Sequence, residues 1–116
     1  MRHMLIVEDE PDISECLQRF FGQRGFSVDA SFSGEEAMER LQTRVADVIL
    51  LDLMLPGVSG IEVLKRVKEL HPELKVVIVT AVDQQDIRDM ARHFGAAAYI
   101  TKPFDFSDAT WSPVFA

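Results

Sequence analysis

The chain changes hydrophobic period again and again along its length, and that alternation limits its fold more than any other feature. Residues 4–7, 48–51 and 76–79 are short, uninterrupted runs of large apolar residues, while 26–30 is broken by polar residues and 97–100 starts with two alanines, both still strand-like. Between them the period becomes helical. Ile13, Cys16, Leu17, Phe20 and Phe21 form one stripe; Ala37, Met38 and Leu41 a second; Ile61, Leu64, Val67 and Leu70 a third; Ile87, Met90, Ala91 and Phe94 a fourth. A continuous apolar strand is covered on both faces, whereas a striped helix covers one. Five such strands alternating with helices imply a parallel sheet with right-handed crossovers and helices on both sides.

Punctuation supports this reading. Pro11 suits a first helical turn, Gly22 or Gly25 its end, Ser33-Gly34 opens the second helix, His71-Pro72 closes the third and Gly95 the fourth. No linker, repeat or low-complexity segment interrupts the pattern, so residues 1–116 read as one domain. Only the tail, 105–116, lacks an extended helical stripe. Pro113 is expected to end any helix begun at Ser107 after about a turn and a half.

Composition excludes several function classes. With 47% hydrophobic and 27% charged residues the chain is an ordinary globular protein, long enough at 116 residues for its own core. A formal net charge of -7 argues against general affinity for nucleic acid phosphates or anionic membrane surfaces. No apolar run approaches the roughly 18 residues needed to cross a bilayer, and the start does not resemble a signal peptide. His3-Met4 fits a cloning remnant before a native start at Met4. A single cysteine, Cys16, excludes an internal disulfide, and a reducing cytoplasm is the simplest compartment. Its place on the first stripe reads as a core role.

The stretch VILLDLMLPG, residues 48–57, sets the chemical question: one aspartate, Asp52, cuts a run of branched apolar residues. An unpaired buried carboxylate is costly, so Asp52 is expected at the end of its strand. Ligands of doubly wound sheets bind beyond the carboxyl ends of the strands. The first strand runs into Glu8-Asp9-Glu10, the third into Asp52, the fourth into Thr80 and the fifth into Thr101-Lys102. Acids, a hydroxyl and an amine therefore converge on one rim. Crowded carboxylates need a compensating cation, and an all-oxygen set with room for water and phosphate suits Mg²⁺, whereas zinc would want His or Cys. With Mg²⁺ the remaining parts suit phosphoryl transfer: a carboxylate can attack phosphorus, and an ammonium and a hydroxyl can hold the phosphoryl oxygens.

The segments 6–11 (IVEDEP), 47–57 (DVILLDLMLPG) with Gly60, 79–81 (VTA) and 95–104 (GAAAYITKPF), in this order and spacing, resemble the receiver domain of two-component response regulators. The resemblance covers residues 4 to about 106. It implies a flavodoxin-like α/β fold, a doubly wound five-stranded parallel sheet of order 2-1-3-4-5. It implies that Asp52 accepts a phosphoryl group from a sensor histidine kinase or phosphotransfer domain. It further implies that Glu8, Asp9, Asp52 and the Met54 backbone carbonyl hold Mg²⁺, that Lys102 pairs with the phosphoryl group, and that Thr80 and Tyr99 form a conformational switch. The family's bond from this lysine to the following proline is often cis.

The tail departs from the family, which continues into a fifth amphipathic helix. Here that helix is expected to be missing or stunted, through truncation or another altered end, leaving apolar surface that invites homodimer pairing unless Trp111, Val114 and Phe115 cover it. Two alternatives stand beside this reading. One is a degenerate receiver that acts only as a protein-interaction module. The other is a Mg²⁺-dependent aspartyl-phosphate phosphatase, which needs a second acid where this chain has Met54. On the receiver reading the chain is a signalling domain that catalyses only its own phosphoryl chemistry, and it carries no basic recognition helix for DNA.

Overall fold

Strand parity explains the uninterrupted apolar runs. The computed structural model describes residues 2–116. In it β1 (His3–Val7), β2 (Ser27–Ser31), β3 (Val48–Leu51), β4 (Lys75–Thr80) and β5 (Ala98–Thr101) form one parallel sheet of order β2-β1-β3-β4-β5. Successive side chains on a strand point to opposite faces. Leu5, Val7, Ile49, Leu51, Val76 and Ile78 enter one core, and Met4, Ile6, Val48, Leu50, Val77 and Val79 enter the other. None of the twelve is more than 3% exposed, so every position of these runs has to be apolar.

The helices close both faces. α2 (Gly34–Thr43), α3 (Gly60–Leu70) and α4 (Gln85–His93) bury Ala37, Leu41, Val63, Leu64, Val67 and Ala91 against the first face. α1 (Pro11–Gly22) and α5 (Asp108–Phe115) bury Leu17, Phe20, Phe21, Trp111 and Val114 against the second. Their starts are written locally. Pro11 opens α1, and the Ser33 and Ser59 hydroxyls accept from the Glu36 and Glu62 amides at 3.2 and 3.3 Å, in each case a serine followed three residues later by glutamate.

Two expectations need correction. Cys16 is exposed, and Ser14 takes the buried position instead. The buried stripe is centred between Leu17 and Phe21, and Cys16 lies about 100° around the helix from Leu17, on the side away from Phe21. The fifth helix is stunted, as expected, but Pro113 does not end it. α5 runs eight residues through Pro113 to Phe115. Proline removes one amide and crowds the carbonyl four residues back; here that carbonyl, Ala109, accepts instead from the Ser112 hydroxyl at 3.3 Å.

Both ends of α5 are held. Ser107 caps the start through the Thr110 amide, and Lys75 Nζ donates to the Pro113 and Ala116 carbonyls at 2.9 and 2.6 Å. Trp111 is fully buried, with its indole N–H on the Asp105 carbonyl at 2.7 Å and its ring against Phe20, Phe21, Phe104 and Phe106. Trp111 and Val114, two of the three tail residues expected to be able to cover the sheet, do so. What stays open is the partly exposed rings of Phe106 and Phe115, at 41% and 38%.

Candidate functional site

Sheet growth reverses at β1: β2 lies on one side of it and β3 on the other. The ladder aligns Val7 with Leu51 and Thr80 with Thr101, so the residue after each strand falls at one rim. Backbone hydrogen bonds extend the register beyond the strands. The Asp52 amide donates to the Val7 carbonyl at 3.0 Å, the Glu8 amide to Ser31 at 3.1 Å and the Lys102 amide to Thr80 at 2.8 Å. This geometry accounts for Asp52: its side chain leaves the apolar run where the strand stops, yet is only 4% exposed.

Lys102 is the hub. Its ammonium donates to Asp52 Oδ2 at 2.8 Å, Glu8 Oε1 at 2.5 Å and Glu10 Oε2 at 3.3 Å. The Lys102–Pro103 peptide is cis. Met54 takes part through its amide, which donates to Asp52 Oδ1 at 2.9 Å. Carboxylate oxygens of Glu8, Asp9 and Asp52 lie within 4.8 Å of one another. Glu8 is 2% exposed, and its Oε2 is buried without a hydrogen-bond partner. An oxygen-only trio with one orphaned buried acceptor is the donor set a hard divalent cation takes. Above it opens a cavity of about 240 Å³, lined by Asp9, Glu10, Asp52, Met54, Ala81 and Lys102. A water occupies about 30 Å³, so the space admits a phosphoryl group and several waters.

The titrations separate the two buried acids. Burial first, and then the Asp52 carboxylate, push Glu8 from 4.5 up to about 8, against the pull of Lys102. Burial pushes Asp52 upward too, but the neighbouring Glu8 carboxyl, Lys102, the Met54 amide and Thr80 outweigh it and hold Asp52 below its usual range. Burial would lower Lys102, and the two carboxylates reverse that and keep its ammonium charged. Burial thus favours the protonated form of Glu8, and the surrounding donors favour the anionic form of Asp52.

Thr80 and Tyr99 are joined through one residue. Thr80 is fully buried, and its hydroxyl accepts from the Val82 amide at 3.4 Å. The Tyr99 hydroxyl donates to the Val82 carbonyl at 2.6 Å. Burial raises the Tyr99 hydroxyl above its usual range, against the pull of Arg88. Of the residues expected at the site, Glu8, Asp9, Asp52 and Lys102 share the acidic pocket, with the Met54 amide on Asp52; Thr80 adjoins the pocket, and Tyr99 stands one strand away, facing the β4–α4 loop.

Two frame residues complete the site: Gly60, present in the family's motif but given no role there, and Glu35, which carries no signal in the sequence. Gly60 allows α3 to start directly on the Asp52–Leu53 peptide: a Cβ there would lie 2.3 Å from the Asp52 carbonyl oxygen and 2.4 Å from Leu53 Cα. Glu35, on α2, accepts from the Val58 amide at 3.2 Å and so anchors the β3–α3 loop, where Gly57 takes a φ of +72°.

This sheet order, with acids on two central strand tips and a lysine on a third, defines a receiver-type α/β domain. Residues 4–110 match the response regulator receiver domain family, and the chain belongs to it. Among its relatives, the transcriptional regulatory protein DltR of Streptococcus agalactiae is 42% identical over 102 residues, covering 88% of this chain and 46% of DltR. The response regulator SaeR of Staphylococcus epidermidis is 36% identical over 104 residues, covering 90% of this chain and 45% of SaeR. The chain therefore spans just under half the length of these regulators. Among solved structures, the BeF3-activated DrrB receiver domain superposes with a TM-score of 0.89 at 28% identity, covering 99% of this chain and 95% of that one. Among the described residues no helix is long and apolar enough to cross a membrane.

Proposed function

We propose that this domain receives a phosphoryl group on Asp52 from the phosphohistidine of a sensor kinase or phosphotransfer domain in the cytoplasm. An Asp52 carboxylate oxygen forms the new bond to phosphorus as the phosphorus–nitrogen bond to imidazole breaks, and the imidazole leaves with a proton. Asp52 is suited to this because its neighbours keep it charged although it is buried. Lys102, already on Asp52 Oδ2, pairs with one phosphoryl oxygen, and the Thr80 hydroxyl donates to another.

Glu8, Asp9, Asp52 and the Met54 carbonyl are the residues to hold Mg²⁺. Bound there, the ion neutralises charge on the phosphoryl oxygens. The buried, partnerless Oε2 of Glu8 supports the assignment, and loading the site requires Glu8 to release its proton.

The readout runs through Val82. Drawing the Thr80 hydroxyl toward a phosphoryl oxygen takes it from the Val82 amide, and Val82 is also where Tyr99 is tethered. Phosphorylation moves that equilibrium only by its differential interaction with the two arrangements. The domain acts on no separate substrate, and its output belongs to the rest of a longer regulator such as those it resembles. The observation that carries this reading is a charged, buried Asp52 bound to Lys102 at the floor of an open acidic cavity.

Incubation with Mg²⁺ and acetyl phosphate, followed by intact mass measurement, tests it. Wild type gains one acid-stable, base-labile phosphoryl group, and Asp52→Asn gains none. Equal labelling of the two proteins removes Asp52 from this role.

A further inference from the structure

The geometry points to Arg88 as a positioning residue for Tyr99, holding the ring against the β4–α4 loop and so weighting the equilibrium that phosphorylation of Asp52 acts on. This rests on the function proposed above. The Arg88 guanidinium lies 4.7 Å from the centre of the Tyr99 ring, and its Nε donates to Asp83 at 2.9 Å. Asp83 directly follows Val82, whose carbonyl accepts the Tyr99 hydroxyl. Ring face and hydroxyl are therefore both tied to neighbouring residues of one loop. The same loop reaches the active site, because the Val82 amide donates to the buried Thr80 hydroxyl.

The ring packs against the first core, but not on every side. A cavity of about 80 Å³ lies beside it, lined by the small side chains Ala91, Ala96 and Ala98 as well as by Arg88 and Arg92. The neighbours lining that cavity are too small to wedge the ring there, so the hydroxyl bond and the guanidinium add to the hold of the core contact. A surface ion pair by itself is worth little, and Asp83 is 64% exposed. What gives Arg88 its leverage is that its planar cation meets the ring face only while Tyr99 is turned toward the loop. A contact made in one arrangement and not in the other shifts the population by its full worth.

The chain has a single tyrosine, so 3-fluorotyrosine places one fluorine reporter at Tyr99. Its ¹⁹F spectrum is recorded for wild type, Arg88→Ala, Arg88→Lys and Arg92→Ala, before and after treatment with Mg²⁺ and acetyl phosphate, with intact mass taken in parallel. The ratio of loop-facing to outward ring is expected to fall by about 2- to 30-fold in Arg88→Ala, the range of a cation–π contact. Arg88→Lys recovers part of it. Arg92→Ala, which removes the same charge one turn further along α4, leaves the ratio unchanged. A ratio unmoved by Arg88→Ala, or moved equally by Arg92→Ala, overturns the assignment. Loss of mass labelling in wild type would instead defeat the phosphoacceptor reading, while the spectra of the unmodified proteins would still decide the role of Arg88.

Discussion

Glu8 ties the stability of the metal-free domain to pH, with a sign opposite to that of most acids. Its carboxyl is raised from 4.5 in the free chain to about 8 in the folded one. Between those values the folded state keeps a proton that the unfolded chain has released. Stability therefore falls as pH rises through this window, and it levels off above about 8. At about 1.4 kcal/mol per pK unit, the full displacement amounts to an upper limit of roughly 5 kcal/mol. That is a large part of the 5–15 kcal/mol (roughly) that holds a domain of this kind together. Asp52 has the opposite sign: its lowered value adds stability above 3.8, lost as pH falls below it. The two windows do not overlap.

The single tryptophan, Trp111, is fully buried, so its fluorescence reports urea unfolding directly. In EDTA, wild type is expected to weaken between pH 5 and 8 by at most about 1.4 kcal/mol per unit, and Glu8→Gln to lose that slope. With Mg²⁺ the slope flattens, because the ion displaces the proton from Glu8 and the folded state then holds no proton that the unfolded chain has released. At a hundredfold excess over its dissociation constant Mg²⁺ adds about 2.7 kcal/mol, and this gain grows toward pH 8. A metal-free stability that is flat or rising from pH 5 to 8, or an equal slope in Glu8→Gln, would refute the reasoning.

Other perturbations separate the parts of the site from its frame. Lys102→Met leaves Asp52 and Glu8 buried without their cation; a loss of about 3–5 kcal/mol is expected in urea melts, together with an upward shift of the Asp52 titration by NMR. Gly60→Ala places a methyl group on the Asp52–Leu53 backbone. It should cost about 1–3 kcal/mol and slow mass labelling of Asp52, and unchanged labelling would show that the loop absorbs the displacement freely. Trp111→Ala empties the centre of the α1–α5 core and is expected to cost about 3–5 kcal/mol, read by circular dichroism since the fluorophore is gone.

Much of this was legible in residue order because it depends on local periods. Uninterrupted runs such as 48–51 cannot be half-buried, and stripes such as Ile61, Leu64 and Val67 cannot belong to strands, so layer architecture follows from period alone. The acids at 8, 9 and 52 and the amine at 102 were visible because each lies within two residues of the end of a strand-like run, and parallel strands end at a common rim. Tertiary structure decided the rest. Cys16 and Ser14 exchange burial because the centre of the α1 stripe is set by what it packs against, and period counting resolves that angle poorly. α5 passes through Pro113 because Ser112 takes the freed carbonyl and Lys75, from a distant strand, holds the helix end. Glu8 differs from Asp52 in charge state for the same kind of reason: both are carboxylates in the sequence, and only the three-dimensional arrangement of burial and donors around them settles which one keeps the proton.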